Sequence, residues 1–428
     1  MSAISILDDL RRRGLIEQFT NEEAIARDLS SKSVSIYCGV DPTADSIHVG
    51  HLLPFLTLGR LQRQGHRPVI LVGGATGMIG DPSGRSSERS LLTLEQVAHN
   101  VECIRRQVSR FVSFEGDNAA VMVHNIDWIG PLTYLEWLRD VGKYFTVNYM
   151  LGKESVRSRL EDREQGISYT EFSYMLLQAY DYLELNRTQN CTIQVGGSDQ
   201  WGNITAGIEL IRKKGQGEAY GMTFPLVTTS TGEKFGKSAG NAIWLDPERT
   251  SPYALYQYFL RSEDADVERF LKFFSLRPVD EIEAIVAAHA EAPHKREAQR
   301  ILAEELTELI HGEDGLRRAK QATDILFGSE IEGLSDKELT SIFADVPAAD
   351  LDRSKLEAGY PIVDLLADSG LEKSKGDARR SLKGGGVYVN NRRVDGEELV
   401  VTPEHLASET ILVLRKGKKS YLLARFAR

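Results

Sequence analysis

Apolar residues recur at helical spacing from the start of the chain. Ile4, Leu7, Leu10, Leu15, Ile16 and Phe19, with Gly14 as a break, predict helix within residues 1–30. The short β-prone run Ser35-Ile36-Tyr37-Cys38-Gly39-Val40 ends at Asp41-Pro42 and predicts a strand. Leu52, Leu53, Leu56, Leu58 and Leu61 predict a helix over 51–64, closed by Gly65. Apolar runs at 68–74, 121–125 and 192–197 have the length of buried strands. Strands alternating with helices predict an α/β fold with a doubly wound, mainly parallel sheet, and ligands in such sheets bind beyond the carboxyl ends of the strands.

Residues 131–190 carry two helical patterns and read as an insertion between the halves of that sheet. After Asp246-Pro247 the chain is helix-rich to about residue 330. The polar stretch 331–359, with Pro347 and Gly359, reads as a linker, and 360–428 as a small α+β unit. The expected organisation is therefore a catalytic domain over 1–245, a helical domain over 246–330, a linker and a C-terminal domain. No internal repeat or low-complexity tract occurs.

Composition narrows this further. No apolar run is long enough to span a bilayer, and the acidic start lacks a basic, apolar-cored signal sequence. Cys38, Cys103 and Cys191 form an odd, scattered set, which with the rest points to a reducing cytoplasm. The net charge of −10 argues against indiscriminate nucleic-acid binding. Yet 360–428 holds 13 Lys and Arg against 9 Asp and Glu, while the remainder holds 39 against 53. A basic end on an acidic body marks a local polyanion site. Lys375, Arg379, Arg380 and Lys383 fall within one expected helix, where Arg379 and Lys383 share a face. Arg415, Lys416, Lys418 and Lys419 lie in an expected turn between two β-prone runs.

Two short segments far apart fit the two ends of one nucleotide. His48-Val49-Gly50-His51 follows a strand and opens a helix, where unpaired backbone N–H groups favour an anion and Gly50 admits a flat base. Lys234-Phe235-Gly236-Lys237-Ser238 carries two ammonium groups around a glycine and can close over phosphates. Taken singly, the first is a pair of ordinary histidines and the second a solvated basic loop. No Cys-x-x-Cys or His-Glu-x-x-His set accompanies them to hold a metal. Together they point to adenylate-forming chemistry. Between them lies Gly196-Gly197-Ser198-Asp199-Gln200-Trp201-Gly202-Asn203, which reads either as a turn and helix cap or as a ribose site built on Asp199 and Gln200. Tyr174, Gln178 and Asp181 share one helix face, which is either a solvent-facing polar stripe or the lining of a pocket for a small zwitterion with a polar tip.

These residues resemble the class I aminoacyl-tRNA synthetases. His48-Val49-Gly50-His51 looks like their H-I-G-H signature and Lys234-Phe235-Gly236-Lys237-Ser238 like their K-M-S-K-S signature, with Val49 for Ile and Phe235-Gly236 for Met-Ser. Tyr37, the loop Gly77-Met78-Ile79-Gly80-Asp81-Pro82-Ser83-Gly84, the Tyr174/Gln178/Asp181 stripe and Gly197-Ser198-Asp199-Gln200-Trp201 resemble the bacterial tyrosyl-tRNA synthetases in particular. Ser374 to Arg380, followed by Gly386-Val387-Tyr388-Val389-Asn390, is similar to the small RNA-binding domain that ends those enzymes.

The resemblance implies activation of L-tyrosine with Mg-ATP, followed by transfer to the terminal adenosine of its tRNA. It implies that Tyr37 and Asp181 bind the phenol, and that Tyr174, Gln178 and Asp81 bind the ammonium, with Gln200 near the carboxylate. Cys38, Gly39, Asp41, Gly50, Gly197, Asp199 and Ser238 fall to ATP and the adenylate. Thr43, His48 and His51 hold phosphates, and Lys234 and Lys237 clamp pyrophosphate with Arg85 and Arg89 in support. Lys375, Arg379, Arg380, Lys383, Arg415, Lys416, Lys418 and Lys419 fall to tRNA. The resemblance also implies a homodimer joined through roughly 115–190. The alternatives are a tryptophanyl-tRNA synthetase, a nucleotidyltransferase that acts without tRNA, and a non-enzymatic RNA-binding relative. The Tyr37/Asp181 pair and the basic C-terminal unit speak against the first two, and the intact signature residues against the third.

Overall fold

The computed structural model describes residues 5–83, 92–161, 166–232, 235–238, 241–326, 328–331, 333–344, 346–417 and 420–427. The chain divides into two compact units, one of Met1–Arg249 with Phe259–Ile310, the other of Thr250–Tyr258 with His311–Arg428.

The first unit is built on six strands: β1 (Gln18–Phe19), β2 (Ser35–Val40), β3 (Arg67–Val72), β4 (Val121–His124), β5 (Cys191–Gly197) and β6 (Tyr220–Phe224). Their order across the sheet is β1-β6-β5-β2-β3-β4. All neighbours are parallel except β1, which pairs antiparallel with β6 at the edge. The chain leaves β2 toward β3 on one side and later returns through β5 on the other, so β2 and β5 flank the topological switch point. β3 is buried along almost its whole length, as expected of a parallel strand covered on both faces.

The expected strands at 35–40, 68–74, 121–125 and 192–197 all form, within two residues of the sequence boundaries. β1 and β6 escape the pattern. β1 has only two residues and so no periodicity, and Tyr220-Gly221-Met222-Thr223-Phe224 is buried on both faces and does not alternate. Residues 1–30 hold two helices, Ile6–Arg12 and Glu22–Ser31, with β1 between them. The described residues of 131–190 hold four α-helices, Tyr134–Asp140, Val147–Leu151, Glu154–Glu161 and Tyr169–Gln189, not two. The first two are too short to show a helical repeat.

In the second unit a five-stranded sheet runs in the order Arg392–Arg393, Val387–Val389, Ile411–Lys416, Ser420–Arg425, Ala348–Asp350. This corrects the linker expected at 331–359. The stretch contains helices Asp336–Ile342 and Arg353–Glu357, and Ala348–Asp350 pairs in parallel with Ser420–Arg425. Leu334, Leu339, Ile342 and Phe343 sit in one core with Ile325, Ile411, Val413 and Leu423. Polar composition concealed these apolar positions because they are spread one or two per turn. The boundary between the units falls next to Gly312, whose φ of 74° interrupts the helical stretch Glu297–Leu326.

The helix Leu52–Arg63, which follows the paired histidines, is seated through Gly59, where a Cβ would fall 2.4 Å from the carbonyl oxygen of Phe111. Gly59→Ala should therefore lower stability by about 1–3 kcal/mol through overpacking, against a helix-propensity gain of about 1 kcal/mol. Urea unfolding checks this; an unchanged or higher midpoint refutes the close contact.

Candidate active site

Tyr37 lies on β2 opposite Gln194 of β5, at the switch point, and is 1% exposed. Its ring centroid is 5.7 Å from that of Tyr182. Burial holds its hydroxyl pKa well above the ordinary value, and the nearby charge of Asp181 raises it further. Asp181, on the helix Tyr169–Gln189, accepts from Asn125 Nδ2 at 3.0 Å and from Trp128 Nε1 at 2.8 Å. Burial nevertheless raises its pKa to about 7, because two neutral donors offset only part of the loss of water. The stripe on this helix is thus no solvent-facing surface: Tyr174 and Asp181 are buried and Gln178 is half-buried.

Polar bonds then run from one strand end to the next. Asn125 follows β4, and its Nδ2 also donates to Thr76 Oγ1 at 3.0 Å. Thr76, after β3, donates to Asp41 Oδ1 at 2.7 Å. Asp41, after β2, accepts from the Tyr174 hydroxyl on Oδ2 at 2.8 Å, which returns the network to the helix of Asp181. Gly73 permits this: a Cβ there would fall 2.3 Å from Asp41 Oδ1. Asp41 was expected on the nucleotide side and Tyr174 on the substrate ammonium. Here each engages the other, since a carboxylate beside a buried hydroxyl offers it the stronger acceptor.

A second network joins the loop after β3 to the segment after β5. Gln200 Nε2 donates to Asp81 Oδ2 at 2.8 Å, and Asn203 Nδ2 lies 3.1 Å from both Gln200 Oε1 and Gln178 Oε1. Asp199 is exposed in the turn Ser198–Gln200, and Gly197 lets it fold back, since a Cβ there would meet Asp199 Oδ1 at 2.6 Å. Cys38 is buried, with its thiol pKa pushed up to about 12, so it stays protonated. Gly39 and Thr43 are exposed.

The two signature segments meet. His48 caps the short turn Val49–His51, its Nδ1 accepting from Gly50 N at 3.1 Å, and His51 Nδ1 accepts from His48 N at 3.3 Å. The rings are 4.1 Å apart, and with Nδ1 an acceptor the neutral imidazole carries its proton on Nε2. Val49 N donates to Ile243 O and Ile243 N to Gly236 O, each at 2.9 Å. Gly236 has φ 87°, and a Cβ there would fall 2.9 Å from Val49 Cγ2, so glycine is required by both backbone and space. Lys237–Ser238 pairs antiparallel with Asn241–Ala242. Lys234, Arg85 and Arg89 lie outside the described residues, as do the side chains of Lys237 and Ser238.

The basic residues expected at tRNA are in the second unit. Lys375, Arg379, Arg380 and Lys383 share the helix Lys375–Lys383 and pair with Asp364, Glu397, Asp377 and Glu397. Lys416 pairs with the buried Glu372 at 2.8 Å, and the Arg415 guanidinium lies 3.8 Å from the Tyr388 ring centroid. Lys418 and Lys419 lie outside the described residues. Thr76, Asn125, Trp128 and Asn203 escaped the sequence analysis. Asn125 carried a readable signal, a polar amide at the end of an apolar strand, and Asn203 lay inside the quoted Gly196–Asn203 cluster. Nothing local marks Thr76 or Trp128, whose partners are far away in sequence.

The raised pKa of Asp181 sets a pH dependence. An aspartate that titrates near 4 in the unfolded chain and near 7 in the folded one contributes stability that is full below about pH 4 and is lost as pH rises through about 7. Asp181→Asn has no such slope. Its stability relative to the unsubstituted protein should rise between pH 5 and pH 8, by at most about 3 kcal/mol. Urea midpoints at the two pH values measure this, and a constant difference refutes the shift.

Residues 29–328 match the model of the family described as tRNA synthetases class I (W and Y). Residues 338–424 match the Tyrosine--tRNA ligase SYY-like C-terminal domain. The chain is 51% identical over 424 residues to a Tyrosine--tRNA ligase of Opitutus terrae, covering 99% of this chain and 100% of that one. It is 53% identical over 420 residues to that of Rhodopirellula baltica, covering 98% and 96%. A C-terminally truncated mitochondrial tyrosyl-tRNA synthetase of Aspergillus nidulans superposes with a TM-score of 0.68 at 35% identity, over 76% of this chain and 94% of that structure. With likeness of this extent over both units, the chain belongs to the class I tRNA synthetases of the tryptophan and tyrosine group and, within it, to the tyrosine--tRNA ligases.

Proposed function

We propose that this chain activates L-tyrosine with Mg-ATP and transfers it to the 3′-terminal adenosine of the tRNA for tyrosine. The observation that carries this is the buried Tyr37/Asp181 pair at the β2–β5 switch point, a site with two polar groups set to meet one hydroxyl. A tyrosine carboxylate oxygen attacks the α-phosphorus of ATP, the bond to the bridging oxygen breaks, and pyrophosphate leaves. A ribose hydroxyl of the tRNA then attacks the activated carbonyl, with loss of AMP and a proton. The carboxylate is already ionised, so the first step needs no general base. Catalysis rests on position and on charge stabilisation.

Tyr37 and Asp181 hold the phenol. Gln178 and Asp81, with Tyr174 set by Asp41, hold the ammonium, and Gln200 faces the carboxylate. Asp199 and the β2 residues Cys38 and Gly39 meet the ribose. Thr43 and the Nε2 protons of His48 and His51 meet phosphate, with Gly50 and Gly197 keeping the backbone clear. Lys234 and Lys237, with Ser238, Arg85 and Arg89, receive the charge that develops on pyrophosphate. Magnesium arrives with ATP as part of the substrate.

Lys375, Arg379, Arg380, Lys383 and Lys416 exchange their carboxylate partners for tRNA phosphates, while Arg415 is held by Tyr388 and stiffens the sheet beside them. Two copies join through the insertion, where Tyr134, Leu135, Leu138, Val147, Leu151 and Tyr169 are exposed together in one stretch of chain. No helix among the described residues is long and apolar enough to cross a membrane, which suits an enzyme working in the cytoplasm.

ATP–pyrophosphate exchange with tyrosine, phenylalanine and tryptophan tests the function. Phenylalanine brings no hydroxyl to Tyr37 and leaves Asp181 with only Asn125 and Trp128 as donors, at about 1–3 kcal/mol for each bond not made, so tyrosine should be preferred by about 10²–10⁴-fold. Comparable exchange with any two of the three refutes the pocket, and a preference for tryptophan returns the tryptophanyl alternative. Lys237→Ala should slow adenylate formation by about 10²–10³-fold, with tyrosine affinity unchanged. Equilibrium dialysis and single-turnover kinetics separate the two quantities; lost affinity at an unchanged rate refutes the role.

A further inference from the structure

The chain passes from the end of β2 to the histidine turn through residues 41–48, a loop that exposes Thr43 and buries Ser46 and Ile47. One helix, Leu94–Val108, grips this loop at two points. Its buried stripe is Val97, Cys103, Ile104 and Val108, with a single amide, Asn100, among them. Asn100 Nδ2 donates to Pro42 O at 2.8 Å. Two turns on, Gln107 Oε1 accepts from Ile47 N at 2.9 Å and lies 3.2 Å from Ser46 Oγ. The same stretch is held from its other side. Leu245 N donates to Ile47 O at 2.9 Å, Asp246 N donates to Ser46 Oγ at 3.1 Å, and Arg249 pairs with Asp45.

A buried amide is costly unless it is bonded, and an apolar side chain at position 100 would complete the stripe without that cost. Asn100 and Gln107 are almost two whole turns apart, so they leave one face of the helix about 10 Å from each other along its axis. The helix between them is rigid and seated: a Cβ at Gly74 would meet Val97 Cγ1 at 3.5 Å. An amide that served packing alone could take any neighbour. These two take the two ends of one span, Pro42 and Ile47. Thr43 lies inside that span and His48 follows it directly. The helix therefore sets the path of the loop and the spacing of the two side chains that the loop presents.

We propose that Gln107, with Asn100, is a positioning residue for the first step: by holding Ile47 and Pro42 the two amides fix the loop, so that Thr43 and His48 meet the phosphates of ATP at a set spacing. Neither amide touches a reactant, and both act through Thr43 and His48. The inference rests on the assignment of these two residues to phosphate given above, and the doubly substituted Thr43→Ala/His48→Asn enzyme tests that assignment by itself. Asparagine at position 48 keeps an acceptor for Gly50 N and brings no Nε2 proton.

The full-length enzyme is measured by single-turnover formation of tyrosyl-adenylate at saturating ATP, well below the melting temperature of each variant, with tyrosine affinity by equilibrium dialysis alongside. Gln107→Met keeps the length of the side chain and removes the acceptor. Asn100→Leu keeps the volume and removes the donor. Position 107 is only half-buried, so Gln107→Met decides the matter should Asn100→Leu fail to fold. The rate should fall about tenfold in Gln107→Met and by a similar factor in Asn100→Leu, with tyrosine affinity unchanged. In the Thr43→Ala/His48→Asn background the same substitutions should change the rate by less than about twofold, because residues that act as a unit are not additive. Unchanged rates in the folded variants, losses that multiply with that of Thr43→Ala/His48→Asn, or a matching loss of tyrosine affinity overturn the proposal. A Thr43→Ala/His48→Asn enzyme with the unsubstituted rate removes the phosphate assignment itself.

Discussion

A carboxylate with no access to water must be met by donors, and Asp181 imposes that demand on the strand ends around it. Asn125 and Trp128, which follow β4, supply the donors. Asn125 is itself held by Thr76 after β3, Thr76 by Asp41 after β2, and Asp41 by Tyr174, two turns from Asp181 on the same helical face. The circuit closes on the helix where it began. Three strand ends and one helix are thereby set in mutual register by polar bonds. Half-satisfied, such a network would cost more than an apolar core; closed, it fixes the pocket's geometry.

The two signature segments are joined by backbone instead. Ile243 accepts from Val49 and donates to Gly236, so a single residue holds the histidine turn against the lysine segment. Gly236 is the point of closest approach, and its positive φ and the nearness of Val49 explain why a glycine stands where the family's usual signature has serine. His48 and His51 turn their Nδ1 atoms to backbone N–H groups, which orients each ring and leaves the proton on the other nitrogen.

The C-terminal unit treats charge differently. Its basic residues are paired with carboxylates on the same surface, at solvent exposures where each pair contributes about 1 kcal/mol or less. Such pairs keep the cations ordered and are readily exchanged for phosphate. Arg415 lies over the Tyr388 ring, and Lys416, itself exposed, reaches the buried Glu372.

Hydrophobic periodicity and turn chemistry settled the fold class, the four strands at 35–40, 68–74, 121–125 and 192–197, and the helix after the paired histidines; the two signature segments were marked by their residue types and by their resemblance to the family's signatures. These are properties of adjacent residues, and local sequence carries them. The rest depended on contacts between residues far apart in the chain. Two-residue β1 exists only because β6 offers it an edge, and the supposed linker folds because Ala348–Asp350 finds Ser420–Arg425. Polarity alone could not tell whether Tyr174 and Asp181 face water or a pocket; the sheet and the loops after β3 and β4 decided it by burying them. Nor could spacing reveal that Asp41 serves Tyr174, since 133 residues separate them and only the fold brings one to the other. Residue type determined which groups could do chemistry, and tertiary structure decided which of them are spent on holding the others in place.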